Sequence, residues 1–309
     1  MVIVNPSLLT VGLISVALLH ANFVMSQYDP EGHKGTTGNI KQVFEGRCWD
    51  YDVTRYIPDL PRVTASCEEL WKLFFKAFSY QPPCAVALEN YQPYLRSATQ
   101  IVPRDKVLFW SGVFSLAHEY GNYGRRYVTL EDTLIGYLAN SITWCGQSID
   151  PGYNVTRCPA WDDCPLEAAE SFWAGASMTF AQGAKGEVLL MLDGSNPDKA
   201  AYRRNSFFGK FELPNLSKEV TKVSVIVSHA LDKPKIDVCG AGSLDLLETD
   251  VTERGFSYVC HDDPLAVLHL LCADDPSSRE CKLAIKHIRG DLDPSKVDPP
   301  AFNKIQEFF

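Results

Sequence analysis

The first 27 residues contain no Lys, Arg, Asp or Glu. Leu8 to Leu19 is almost wholly apolar, and small residues from Ala17 to Ala21 follow at a plausible cleavage point. This predicts a secretory signal over residues 1–26. The rival is a signal anchor. It is disfavoured because a span needs about 20 apolar residues and no basic cluster flanks the run. The chain has no second run of that length. Residues 290–309 form a polar tail without the hydrophobic end of a lipid-anchor signal. The expectation is therefore a secreted protein, or one held in a secretory-granule lumen, with no stable membrane anchor. Positive charge is also scarce, with 29 Lys+Arg against 38 Asp+Glu and a formal charge of −9. That balance argues against a nucleic-acid partner, which calls for basic stripes. Apolar residues make up 46%, enough to exclude a disordered chain.

Several catalytic templates are missing. There is no G-x-S-x-G elbow, P-loop, G-x-G-x-x-G or H-E-x-x-H. Nor is there a C-x-x-C or a paired H-x₃₋₅-H, so the ten cysteines do not read as metal ligands. His118, His229, His261 and His269 read as surface or core residues, and no metal is expected. An even number of cysteines behind a signal implies about five disulfides made in an oxidising lumen. The sequons at Asn154 and Asn215 fit that route as candidate glycosylation sites.

The early part of the chain is helical by pattern. Leu70, Phe74, Ala77 and Phe78 share one face over 67–78, and Pro82-Pro83 stops that helix. Thr129-Leu-Glu-Asp132 opens a second helix with a capping pattern, and Leu134, Ile135, Leu138 and Ile142 continue it. A third runs over about 166–182. Later, short and nearly continuous apolar runs appear at 188–192, 223–228 and 256–259, with a helix at 243–253 before the last. Such runs suit strands covered on both faces of a parallel sheet. Residues 107–110 resemble them and are expected to join that sheet. The resulting fold class is α/β, with two interleaved parts. A helical subdomain comprises 27–103 and 129–185. A parallel-sheet subdomain flanked by helices comprises 104–128 and 186–289.

Glu212 lies between Phe211 and Leu213, close to two further aromatics. A carboxylate among aromatics is partly desolvated and interacts strongly with a nearby cation. That suits stabilisation of an oxocarbenium ion. Spacing alone fits better a solvent-facing Glu alternating with buried residues on a strand. Glu131, in the first turn of its helix, has the plainer account of an acid favouring the helix dipole. Trp110 ends an apolar strand, where open α/β sheets bind ligands. Trp173 sits on an amphipathic helix, and tryptophans are most often core or interface.

Taken together, these residues resemble the animal ADP-ribosyl cyclase family. The carrying motifs are Gly46-Arg-Cys-Trp-Asp-Tyr-Asp-Val-Thr-Arg-Tyr56, Leu108-Phe-Trp-Ser-Gly112, Thr129-Leu-Glu-Asp-Thr-Leu134, Trp144-Cys-Gly-Gln147, Glu170-Ser-Phe-Trp173, Asp193-Gly-Ser-Asn-Pro197, Ser206-Phe-Phe-Gly209 with Glu212, and Cys239-Gly-Ala-Gly-Ser-Leu244. They occur in this order along the chain, and the resemblance covers roughly Phe44 to Arg289. The resemblance implies that Glu212 is the catalytic glutamate, that Glu131 contacts the nicotinamide carboxamide, and that Trp110 and Trp173 are the pocket tryptophans. Phe207 corresponds to the aromatic of the cyclising members. It further implies the pairs Cys48–Cys67, Cys84–Cys164, Cys145–Cys158, Cys239–Cys260 and Cys272–Cys281. Asn140 stands where the vertebrate surface enzymes carry an acid. On an unbroken helix it would lie about 180° from Glu131, so either that helix breaks or Asn140 is outside the pocket. Ser111 and the backbone amides around Phe207, Phe208 and Gly209 are candidates to hold a diphosphate.

The activity so implied is conversion of NAD to cyclic ADP-ribose and nicotinamide, with base exchange on NADP and no resident cofactor. The expected partners are the nucleotide substrate and a second copy in a homodimer. The alternatives are a net NAD glycohydrolase giving ADP-ribose, or a secreted binding protein that keeps the scaffold without turnover.

Overall fold

The computed structural model describes residues 34–288, apart from 55, 56, 58, 59 and 162 and the side chains of 52 and 284–288. The signal segment and the polar tail lie outside these residues. In chain order the elements are α1 (Ile40–Thr54), α2 (Cys67–Phe78), α3 (Gln92–Ala98), β1 (Leu108–Ser111), α4 (Phe114–Tyr120), α5 (Leu134–Ala139), α6 (Ala168–Gly183), β2 (Gly186–Asp193), β3 (Val220–Ser228), α7 (Ser243–Thr252), β4 (Ser257–Asp262), α8 (Leu265–Asp274) and α9 (Arg279–Ile288).

The α2 helix forms because its apolar residues recur at helical spacing and its ends are satisfied. Ser66 accepts from the Glu69 amide at the start, with Glu68 and Glu69 in the first turn. Its buried stripe places Phe74 at the centre of an aromatic core. Phe44, Phe78, Tyr91, Tyr94, Trp144 and Phe172 all have ring centroids within 4.9–6.1 Å of it. A buried aromatic of this kind contributes about 1.5–3 kcal/mol from area alone. The indole of Trp144 meets its polar need by donating to Tyr91 Oη at 2.9 Å.

The sheet is parallel throughout, in the order β1-β2-β3-β4. Its continuous apolar runs have a direct cause. Val188, Leu190 and Leu192 enter the main core, whereas Leu189 and Met191 face a second cluster with Ala117 and Val267. One face is thus covered by the main body, and the other by α4 and α8. The run at 107–110 does join this sheet, as β1 beside β2, although it precedes two of the helices expected to pack elsewhere. The α6 helix links the two regions. Phe172 enters the aromatic core, and Phe180 meets Phe109 of β1 edge-on at 5.4 Å.

All five expected disulfides form, with Cα–Cα distances of 5.5–5.7 Å. Among the described residues no helix is long and apolar enough to cross a membrane.

Candidate active site

The site is built where β1 ends. Trp110 and Ser111 are paired in register with Met191 and Leu192, at the carboxyl edge of the parallel strands. The chain then turns at Gly112, whose φ is +79°. A Cβ there would lie 2.9 Å from the Asp193 Cβ, so only glycine allows the ends of β1 and β2 to stay this close. Trp110 is half-buried, edge-on to Phe114 at 5.2 Å, and its Nε1 donates to Glu131 Oε2 at 3.2 Å.

Glu131 reaches that indole because the expected second helix is interrupted. Leu130–Asp132 is a single 3-10 turn, and a new N-cap at Thr133 starts α5. Asp132 accepts from both the amide and the hydroxyl of Thr129 at 3.0 Å. The Thr133 hydroxyl accepts from the Gly136 amide and donates to the Leu130 carbonyl at 2.6 Å. Gly136 lets α5 lie against the turn, since a Cβ there would be 2.2 Å from Leu130 O and 2.7 Å from Glu131 Cα. The break bears on Asn140. It caps the C-terminus of α5, its carbonyl accepts from Arg47, and its Oδ1 accepts from Ser141 Oγ at 3.4 Å. Among the described residues, neither of these bonds runs to Glu131 or Glu212. Arg47 holds the carbonyls of Tyr137 and Leu138 as well, which accounts for the arginine of the first motif.

Glu212 is not on a strand. Phe208–Glu212 is a π-helical turn closed by Leu213 N–H to Phe208 O, an insertion that recurs at functional sites. Gly209 permits it, because a Cβ would lie 2.5 Å from Arg203 O. Glu212 as a residue is only 8% exposed. Burial pushes its pKa up to about 8; the Ser177 hydroxyl bond opposes this, and the charge of Glu131 adds to it. Ser177 comes from α6, and Trp173 lies one turn earlier on the same face. Trp173 is half-buried, edge-on to Phe172 at 5.2 Å. Three elements therefore converge: the end of β1 with Trp110, the turn with Glu131, and the π turn with Glu212, held from α6 by Ser177.

The neighbouring aromatics divide by role. Phe208 is buried against Phe109 at 5.6 Å, so this ring belongs to the core. Phe207 is half-buried and meets Phe211 at 5.0 Å and Trp161 at 5.3 Å. Of the candidate diphosphate donors, the Gly209 amide is already bonded to Ser206 Oγ at 3.2 Å. Sequence reasoning missed Ser177, Trp161 and His118, which enter through elements remote in sequence; only the i,i+4 relation of Trp173 to Ser177 offered a local signal.

Residues 37–281 match the family model described as ADP-ribosyl cyclase. The chain is 53% identical to the ADP-ribosyl cyclase/cyclic ADP-ribose hydrolase of Aplysia californica over 253 residues, covering 82% of this chain and 90% of that protein. It is 33% identical to ADP-ribosyl cyclase/cyclic ADP-ribose hydrolase 2 of Homo sapiens, covering 81% and 77%. Among solved structures, an Aplysia cyclase complexed with substrate NGD and product cGDPR superposes with a TM-score of 0.77 at 53% identity, over 80% of this chain and 97% of that one. An ADP ribosyl cyclase complexed with N1-cIDPR gives 0.78. With the parallel sheet, the five disulfides and the paired acids already in place, these matches establish that the chain belongs to the ADP-ribosyl cyclase family.

Proposed function

We propose that this protein converts NAD to cyclic ADP-ribose and nicotinamide, and that Glu212 is its catalytic residue. The observation that carries the assignment is a buried carboxylate on a π turn, close enough to the Glu131–Trp110 pair to feel the charge of Glu131. The names of the relatives and the NGD and cGDPR bound by one of them support the same activity.

The pyridinium makes nicotinamide a good leaving group, so the glycosidic bond needs no general acid. Cleavage leaves positive charge on the ribose, which the Glu212 carboxylate stabilises from a site without bulk water. Glu131 accepts from the carboxamide. Trp110 and Trp173 provide faces for the base and the ribose, and an aromatic face over a cation contributes about 0.5–2 kcal/mol. Adenine N1 then closes on the same ribose carbon. Phe207, backed by Trp161 and Phe211, excludes water from that step. With NADP and nicotinic acid, the same intermediate permits base exchange.

The scheme calls on no resident cofactor or metal. We read the chain as secreted or granule-stored and dimeric. For the sequons, Asn154 Oδ1 is bonded to its own Thr156, whereas Asn215 Nδ2, the atom a glycan would take, donates to Phe211 O at 2.9 Å. Asn154 is therefore the better acceptor.

Incubation with NAD and chromatography of the products tests the function. Nicotinamide with mainly cyclic ADP-ribose is expected. Mainly ADP-ribose would indicate the glycohydrolase, and no nicotinamide would indicate a binding protein. In Phe207→Ser the ratio should move toward ADP-ribose; an unchanged ratio would reject water exclusion by this ring.

A further inference from the structure

His118 has no part in the scheme above. It lies on α4, immediately after β1, and is only 6% exposed. Phe114, one turn earlier, fixes the ring twice. Its carbonyl bonds Nδ1 at 2.8 Å, and its ring lies against the imidazole at 4.1 Å. A carbonyl can only accept, so Nδ1 carries a proton. Nε2 faces two oxygens: Thr129 Oγ1 at 3.2 Å, whose own proton goes to Asp132, so Nε2 must be the donor, and Glu131 Oε2, which the doubly protonated ring meets as an ion contact at 3.8 Å. The same Oε2 accepts from Trp110 Nε1. Thr129 is also tied to Asp132, and these two residues bracket the turn that carries Glu131. One buried ring therefore touches both the hydroxyl that closes this turn and the carboxylate that the turn presents. Two ring nitrogens, from β1 and α4, approach a single carboxylate oxygen. The other oxygen, Oε1, receives no protein hydrogen bond among the described residues.

We infer that His118 is a positioning residue for the nicotinamide end of the site: with Trp110 it pins Oε2 of Glu131 and leaves Oε1 to accept from the carboxamide N–H. The inference rests on the role proposed for Glu131. The geometry selects a neutral amide donor, because an acceptor group brought to Oε1 would meet a carboxylate edge with no proton to share. In a site this dry, a misdirected carboxylate loses much of its hydrogen-bond strength.

Inhibition by nicotinamide is the readout, because it probes this end of the site alone. His118→Asn keeps a donor where Nδ1 stands, and hence the Phe114 bond, but is too short to reach Thr129 or Glu131. His118→Gln places a donor near the position of Nε2. In His118→Asn the inhibition constant should rise about tenfold, the loss of roughly one well-made hydrogen bond, while His118→Gln stays within about twofold of the parent. Combining His118→Asn with Glu131→Gln should add nothing to Glu131→Gln alone, since both act through one carboxylate. Unchanged inhibition in His118→Asn, equal losses in the Asn and Gln variants, or multiplying losses in the double variant would overturn the inference. If Glu131→Gln itself leaves inhibition unchanged, the Glu131 assignment fails first, a result distinct from failure at His118 alone. A crystal structure of the unaltered protein with nicotinamide gives a test that needs no variant. The carboxamide nitrogen should lie within hydrogen-bond distance of Oε1, with Trp110 and His118 still at Oε2; a nitrogen seated on Oε2 would contradict it.

Discussion

Glu212 carries two opposed requirements. Burial favours its neutral form, and stabilising a ribosyl cation needs its charge. With the pKa pushed up to about 8, much of the free enzyme at neutral pH holds a proton there. The bound pyridinium is a cation and draws the group back toward the carboxylate. For the wild type, kcat/KM for NAD should therefore rise with pH through a midpoint near 8, while kcat, which reports the complex, titrates at lower pH. A kcat/KM that is level from pH 6 to 9 would contradict this. Stability follows the same linkage. A carboxyl whose folded pKa lies above its unfolded one contributes fully below about 4.5, and that contribution is lost as pH rises through about 8. Thermal melts of Glu212→Gln and its parent should thus diverge across that window, with the variant the more stable at the alkaline end.

At the scale of elements, two interruptions make the site. The 3-10 turn at Leu130–Asp132 and the π turn at Phe208–Glu212 replace what regular spacing would continue as a helix and a strand. Gly136 fixes the first. In Gly136→Ala the new methyl meets Leu130 O and the Glu131 Cα, both backbone. We expect about 1–3 kcal/mol of destabilisation by denaturant titration and a larger fall in turnover than in stability at permissive temperature. Full activity at parental stability would show that this turn tolerates displacement. These interruptions also mark the limit of what the sequence discloses. Helices α2, α6 and α7 and strands β2, β3 and β4 were legible because a 3.6-residue stripe or an apolar run of strand length spells them out. A π turn has no period of its own, so spacing favours an exposed strand residue at Glu212, and only the family motifs single it out. In α1, Ile40, Phe44, Cys48 and Tyr51 are buried, but Trp49 at 69% and Val53 at 79% exposure blur the stripe. Ser177 and His118 reach the acids through tertiary contacts that no local spacing records.

Over the whole molecule, one sheet edge and one long helix bring distant segments together. β1 precedes α5 and α6 in sequence yet lies beside β2, so the subdomain boundaries drawn from the sequence are our reading of a chain that passes three times between the two regions. Cys84–Cys164 spans 80 residues, the widest of the disulfides, and ties the end of α2 to the approach of α6. Replacing both cysteines with alanine should cost about 2–5 kcal/mol in the urea transition. A cost below about 1 kcal/mol would mean that packing alone holds those segments.

The measurement that bears most directly on the mechanism is single-turnover release of nicotinamide from NAD by Glu212→Gln, with folding checked by circular dichroism. Gln keeps the shape of the side chain and removes its charge. Loss of a preorganised electrostatic group costs on the order of 10²–10³ in rate, so release should fall by at least that factor in a protein whose spectrum is unchanged. Release at the parental rate would contradict the assignment of the buried carboxylate as the group that stabilises the ribosyl cation.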